Sequence, residues 1–404
     1  MFFKSSTSIY AHIDCNSFFA SCEVLRNPSL KGKCVCIGDQ ISIAASYEAK
    51  KFGIKTGTPM WEAERILGKR LIKILPDHVF YSDVSKRLMS YMEKKFWKIE
   101  IFSIDEFFAD ISDMSDDYAA FAEELKHEIY KSIGIPVSIG ISNTRLRAKM
   151  FGDLHKPFGS FVSFDSEEIQ GVFDTLPVRE IPYIAKGNSE RLGSQVRTAG
   201  DFYNLNPLYV QRLLGKNGFN LWLELHGVDV WRPHDTSKKR KSIVCSRSFN
   251  HDMTDNIHTL WRKCLENNER AYDTLLREKQ EVRSIGVWLR TKDFWQEWAW
   301  KDLWIATIDR NIITATIKEL FKGLCKTWII YRTTAISYAE LTTFTPKQTS
   351  IFDIVNREHK ENEKLSGALG KLKDRYGSGI IARWFVPNKT KKKELNVLFE
   401  VGMK

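Results

Sequence analysis

Apolar positions along the first 160 residues change period in a readable order. SIYAHID (8–14) alternates and ends on Asp14, and KCVCIG (33–38) and SIAAS (42–46) read as short strands broken by Gly38 and Asp39. SYEAKKF (46–52) has helical spacing and stops at Gly53, and Thr58 with Pro59 pairs an N-cap with a first-turn proline opening a helix to about Leu67. From Asp83 to Lys95 the spacing of Val84, Leu88, Met89 and Met92 is helical; IEIFSI and FFADIS then read as two strands meeting at Asp105 and Glu106. A helix from Asp117 to Ile133 and a strand from Pro136 to Ile141 follow. Next comes a helix carrying Leu146, Met150 and Leu154 on one side and stopped at Pro157. Strand, helix, strand pair, helix, strand predicts a compact α+β sheet domain.

Residues 166–232 break into short helical pieces punctuated by Pro177, Pro182, Gly193, Gly200, Pro207 and Gly215, a pattern that predicts a small helical domain. RPHDTSKKRKS (232–242) loses periodicity and concentrates charge, so it is expected to be a linker. Beyond it, SIVCSRSF, a helix near 257–277, EVRSIGVWLRT and a helix near 308–325 predict a second α/β unit. Several domains fit a chain of 404 residues with 43% hydrophobic content.

A formal net charge of +11 points to a polyanionic partner, nucleic acid first, although an ordinary basic enzyme has the same balance. Seven cysteines without a CxxC pair or a Cys/His cluster indicate neither a disulfide framework nor structural zinc. MFFKSSTSIY has no signal-peptide core, and no run of about 18 apolar residues occurs. A reducing, cytoplasmic location is expected.

Asp105 and Glu106 stand where a tight hairpin prefers Asn-Gly or other glycine chemistry, flanked by Ile104, Phe107 and Phe108. Two anions in such apolar company are costly unless a cation joins them. That cation is either a nearby lysine (Lys94, Lys95 or Lys98) or a hard divalent ion, for which Asp14 at the end of the first strand supplies a third carboxylate. Three carboxylates around two metals about 3.5–4 Å apart serve phosphoryl and nucleotidyl transfer.

IDCNSFFASCE (13–23), IAASYEAKKFGIKTGTPMWEA (43–63), EIFSIDEFFADIS (100–112) and VSIGISNTRLRAKMFGDLHKPFG (137–159) occur in this order. Together they resemble the Y-family translesion DNA polymerases, most closely the UmuC branch, the catalytic subunit of bacterial DNA polymerase V. The resemblance continues in patches to about residue 384, through SIVCSRSF (242–249), QTSIFD (348–353) and GALGKLKDRYGSG (367–379). It implies an α+β, multidomain right-hand polymerase. The ferredoxin-like palm would span 1–30 and 75–165, small fingers 31–74 and a helical thumb 166–232. A linker at 233–242, an α/β little finger at 243–345 and a C-terminal tail at 346–404 would follow. The expected activity is template-directed, error-prone translesion DNA synthesis in the DNA damage (SOS) response, in a bacterial, nucleoid-associated setting.

By the same resemblance, Asp14, Asp105 and Glu106 hold two Mg²⁺. Phe19 is the ring that excludes a 2′-hydroxyl, next to Phe18, while Tyr47, Lys50 and Lys156 meet the triphosphate. Backbone N–H groups from Cys15 to Phe18 are a further expected phosphate contact. Lys186, Lys238, Lys239, Arg240, Lys241 and Arg247 are expected near DNA phosphates. Gln348, Ile351 and Phe352 resemble a sliding-clamp-binding motif, and the tail resembles an extension associated with a RecA filament and a UmuD-like subunit. The expected substrates are primer–template DNA and a dNTP.

Three positions depart from the family pattern. IPYIAKGNSERL (181–192) has only Gly187 where a thumb hairpin often has G-x-G, Lys50 replaces an arginine, and Thr349 replaces the leucine of the clamp motif. Two rival functions are a noncatalytic polymerase-shaped DNA-binding scaffold and a nucleotide cyclase on a similar palm. The three carboxylates speak against the first. Phe19 and the basic C-terminal domain speak against the second.

Overall fold

Five strands form the sheet on which the candidate site is built, in the spatial order Ile99–Ile101, Glu106–Asp110, Tyr10–Cys15, Val137–Ser142 and Ser160–Val162. The computed structural model describes residues 8–230, 240–250 and 252–343, which divide into two compact units on either side of residues 234 and 235. Most of the expected linker, all but its last residues 240–242, and the tail with Gln348, Ile351 and Phe352 lie outside the described residues, as do Lys238 and Lys239.

In the first unit the elements run β1 (Tyr10–Cys15), α1 (Phe18–Arg26), β2 (Cys34–Ile37), β3 (Ala44–Ala45), α2 (Tyr47–Lys50), α3 (Met60–Leu67), β4 (Leu71–Ile74) and α4 (His78–Lys95). They continue with β5 (Ile99–Ile101), β6 (Glu106–Asp110), α5 (Tyr118–Ile133), β7 (Val137–Ser142), α6 (Arg145–Leu154) and β8 (Ser160–Val162). Four more helices close the unit: α7 (Ser166–Thr175), α8 (Lys186–Leu192), α9 (Ala199–Tyr203) and α10 (Pro207–Leu225).

β1 runs antiparallel to both β6 and β7, and its alternation decides what each face does. Ala11, Ile13 and Cys15, with Phe107 and Ala109 of β6, pack into one core with Val84, Leu88 and Met92 of α4 and Leu125 and Ile129 of α5. The other face carries His12, Asp14, Glu106 and Phe108 and is covered by α6. A small sheet, β3-β2-β4, stands beside α1. Val35 and Ile37 of β2 join the large core, while Cys34 and Cys36 face Ala49, Met60 and Ala63. The helical segment packs on α6 through Leu146, Met150, Phe151, Phe173, Phe202 and Leu221.

The second unit contains β9 (Ser242–Ser248), α11 (Ile257–Arg277), β10 (Gln280–Thr291), β11 (Gln296–Thr307), α12 (Arg310–Leu324), β12 (Tyr331–Ala339) and β13 (Thr342–Thr343). Its sheet, β11-β10-β12-β9, is antiparallel, with β13 beside β10. One face buries Ile285, Val287, Leu289 and Ile336 under Leu260 and Cys264 of α11 and Ile313 and Ile317 of α12. On the edge strand β11, Trp298 and Trp300 are exposed. The Trp300 ring lies against Gly286, where an added Cβ would stand 2.8 Å from it.

Candidate active site

Backbone hydrogen bonds place Asp105 and Glu106, at the start of the sixth strand, beside Asp14 of the first. Asp14 and Glu106 are directly paired across β1 and β6. Asp105 lies in the turn just before β6, its carbonyl accepting from the Cys15 N–H at 2.9 Å. The N–H groups of Phe102 and Ser103 both donate to the Glu106 carbonyl, at 3.0 and 3.1 Å, which tightens that turn. The Ser103 hydroxyl donates to Asp105 Oδ1 at 2.5 Å. Asp14 and Asp105 thus line one open cleft of about 260 Å³, together with Phe19, Tyr47, Lys50 and Lys156.

Each of two carboxylates already holds an ammonium. Lys156 Nζ lies 2.5 Å from Asp14 Oδ2 and 2.6 Å from Asp153 Oδ1. Burial acts to lower the Lys156 ammonium, but the two carboxylates outweigh it and keep its pKa above the ordinary value. Burial raises the Asp14 carboxyl against the pull of Lys156, and the charge of Asp105 adds to the rise. Glu106 Oε1 accepts from His12 Nε2 at 2.6 Å and from Lys149. Burial pushes that carboxyl up, yet these hydrogen bonds and charges win and lower it to about 2.

Among the described residues no three acids, histidines or cysteines form a ready metal cage. The carboxylates share one end of the sheet, but Asp14 turns to Lys156 and Glu106 to His12 and Lys149. The donor set nevertheless suits hard divalent ions, which take a couple of carboxylates and complete their shell with substrate oxygens. Asp14 and Asp105 in one solvent-open cleft, with the charge of Asp105 raising the Asp14 carboxyl, are such a pair.

The remaining expected contacts divide. Phe19 lines the cleft and stacks on Tyr81, centroids 4.6 Å apart and planes 18° apart, with His78 edge-on at 5.8 Å. Phe18 also borders the cleft, although at 3% exposure it is packed in the core. Lys50 Nζ sits 4.3 Å from the centre of the Tyr47 ring. The expected run of phosphate-binding N–H groups from Cys15 to Phe18 requires correction. Cys15 N–H is donated to Asp105 and Asn16 N–H to Pro136, because the strand pairing extends past β1. Only the N–H groups of Ser17 and Phe18 remain for an anion, and Ser17 holds the left-handed turn (φ 45°) that opens α1.

Lys186 is exposed and 3.8 Å from Glu190. Arg240 pairs with Glu278 at 2.9 Å and Arg247 with Glu266 at 3.5 Å. Lys241 is exposed. In the atypical thumb stretch, Tyr183 takes the left-handed conformation (φ 72°) that a glycine would adopt without strain.

Sequence reasoning missed His12, Lys149 and Tyr81. His12 had a signal, since alternation places it on the face of Asp14. Tyr81 lies before the helix expected from Asp83, and Lys149 reads as an ordinary position of an amphipathic helix.

The profile of the impB/mucB/samB family matches residues 13–153, and that of its C-terminal domain matches residues 240–351. DNA polymerase IV of Oceanobacillus iheyensis is 30% identical over 391 residues, covering 92% of this chain and 90% of the relative. The chain belongs to the impB/mucB/samB family, the UmuC-like Y-family DNA polymerases. Protein SamB of Salmonella typhimurium is 28% identical over 411 residues, 93% of this chain and 94% of that protein. Among solved structures, a Y-family DNA polymerase chimera of Dbh and Dpo4 matches with a TM-score of 0.68 at 23% identity, covering 83% of this chain and 100% of the chimera. An insertion ternary complex of Dbh DNA polymerase matches with a TM-score of 0.54 at 22% identity over the same shares. These likenesses establish the α+β architecture of a Y-family polymerase.

Proposed function

We propose that this Y-family polymerase carries out error-prone translesion synthesis at the cleft of Asp14 and Asp105. The 3′-hydroxyl oxygen of a primer attacks the α-phosphorus of a templated dNTP and pyrophosphate leaves. The observation that carries the assignment is the shared cleft. Residues 14 and 105, far apart in sequence, line one opening with Phe19, Tyr47 and two lysines. Asp14, Asp105 and Glu106 would hold two Mg²⁺, which supply Lewis acidity for the attacking oxygen and charge neutralisation for the leaving one. Phe19, fixed by Tyr81, offers a rigid wall to the sugar, and a 2′-hydroxyl would collide with it. Lys50 and Lys156 supply positive charge for the triphosphate.

Primer–template DNA is the proposed macromolecular substrate, held in part by Lys186, Arg240, Lys241 and Arg247. The sliding clamp, through the motif at 348–352, and a RecA filament with a UmuD-like subunit are proposed partners of the tail. A noncatalytic scaffold lacks a use for the acid-lined cleft, so extension assays separate the two readings. Asp105→Ala should abolish Mg²⁺-dependent extension by deoxynucleotides, a loss of at least ~10³-fold, while primer–template binding by fluorescence anisotropy persists. Residual extension near the wild-type rate would remove Asp105 from the site.

A further inference from the structure

We infer that His12 and Lys149 are positioning residues for Glu106, gripping one oxygen of its carboxylate so that the other is presented to the primer-side cation. This rests on the polymerase reading of the site and adds to it two residues that touch neither nucleotide nor cation.

The geometry is asymmetric. His12 Nε2, at 2.6 Å, and Lys149 Nζ both meet Glu106 Oε1. No hydrogen bond among the described residues ends on Oε2. A carboxylate only accepts, so Nε2 carries the proton of the His12 bond. Two donors on one atom fix the rotation of the carboxylate plane. They also concentrate the positive charge of Lys149 on the oxygen that turns away from the ligand role.

His12 has no other polar tie to explain its presence. It is 0% exposed, and its Nδ1 is buried without a partner among the described residues. An unsatisfied buried nitrogen is costly, and an apolar side chain in the same space would avoid that cost. The ring is instead held tightly for its one bond. Phe108 packs at 4.8 Å between centroids, and a Cβ on Gly152 of α6 would stand 2.8 Å from Nδ1. Glycine at 152 is what lets the helix press on the imidazole. Lys149 comes from that same helix, so α6 delivers both the clamp on the ring and the second donor. Outer partners of this kind typically change metal affinity 10–100-fold when removed.

The test uses the full chain with a primer–template that keeps its 3′-hydroxyl and an α,β-imido dNTP, so that no turnover occurs. Mn²⁺ binding is titrated by electron paramagnetic resonance. Wild type should bind two Mn²⁺, one of them brought by the nucleotide. His12→Leu and Lys149→Met should each weaken the other site about 10–100-fold, leave the nucleotide-linked site unchanged, and keep the affinity for the imido dNTP. His12→Gln, which restores a donor, should recover much of the loss.

Wild-type affinities at both sites in folded Lys149→Met and His12→Gln, with His12→Leu either alike or unfolded, would overturn the inference. So would an equal loss at both sites, which is the mark of a general structural role. A wild-type chain that neither binds Mn²⁺ with the nucleotide nor extends primers would instead bring down the polymerase assignment of the cleft.

Discussion

The Phe19 ring is held by a chain of contacts that returns to its own helix, α1. Tyr81 stacks on it and donates its hydroxyl to Glu23 at 2.7 Å, and Arg26 grips the same buried carboxylate through two nitrogens. Removing the ring and removing its support should therefore have different signatures. Phe19→Ala should raise ribonucleotide use relative to deoxynucleotides roughly tenfold or more, read by primer extension with each sugar. Tyr81→Phe keeps the stack and should leave that ratio unchanged while lowering stability by about 1 kcal/mol, since Glu23 loses one donor. Unchanged sugar discrimination in Phe19→Ala would remove the ring from its role. At this scale the acids were legible because Asp105 and Glu106 sit among Ile and Phe, where carboxylates need a reason. Tyr81 and Lys149 were not, because Tyr81 precedes the helix expected from Asp83 and Lys149 reads as a plain helix position, while the alternation that puts His12 on the face of Asp14 does not reveal its partner.

α6 is the element on which the site depends, and its closeness to the sheet is set by backbone. A Cβ at Gly140 of β7 would lie 2.0 Å from the Ala148 carbonyl oxygen and 2.2 Å from the Gly152 nitrogen. Neither neighbour is a flexible side-chain end, so Gly140→Ala must push the helix away, carrying Lys149 and Lys156 with it. The expected cost is on the order of 1–3 kcal/mol or more, seen as a lower urea midpoint, together with slowed extension. An unchanged midpoint would mean that the helix yields freely. The same helix is tied at its start to the end of α10: the Glu224 carboxylate accepts from the Leu146 N–H at 3.2 Å, and Arg147 donates to the Leu225 carbonyl at 2.6 and 2.9 Å.

A second tie joins β1 to this segment, through the Tyr10 hydroxyl and Asp229 at 2.6 Å. Burial, then the Asp229 bond and charge, push the Tyr10 phenol up to about 12. The folded state then keeps its proton where the unfolded chain has lost it. The tie contributes below about pH 10, and stability falls as pH rises from 10 to 12 by roughly 2–3 kcal/mol. Tyr10→Phe should flatten the urea-unfolding profile over that window, and a profile as steep as wild type would discount the tie. Long helices were readable from sequence, as with the one expected from Asp117 to Ile133, found as α5 with the Asp117 side chain capping its start. The short strands β4 and β8 were not, because three or four residues give no period to count. β11 was hidden by its own alternation, since its large aromatics face outward and its charged residues interrupt the pattern.

For the whole molecule, the net charge of +11 foretells a polyanion but not where it binds, because composition does not say which cations are already paired. The structure sorts some of them. Arg240 and Arg247 each meet a glutamate within the second unit, whereas Lys186 is 77% exposed on its side chain and only loosely near Glu190. A cation that must first leave a carboxylate gains less from a phosphate than one that leaves only water and counterions. Primer–template affinity should therefore fall steeply with salt, the logarithmic slope reporting about 0.9 per phosphate neutralised. Measured by anisotropy between about 50 and 200 mM salt, Lys186→Ala should reduce the slope by about 1 and weaken binding alike on all sequences. Lys241→Ala should do the same, since that side chain is also exposed. Arg240→Ala should change the slope by clearly less, because the wild-type arginine is engaged by Glu278 at 2.9 Å. An Arg240→Ala effect as large as that of Lys186→Ala would show that the pair opens on DNA, and that free exposure is the wrong guide to which charges carry the contact.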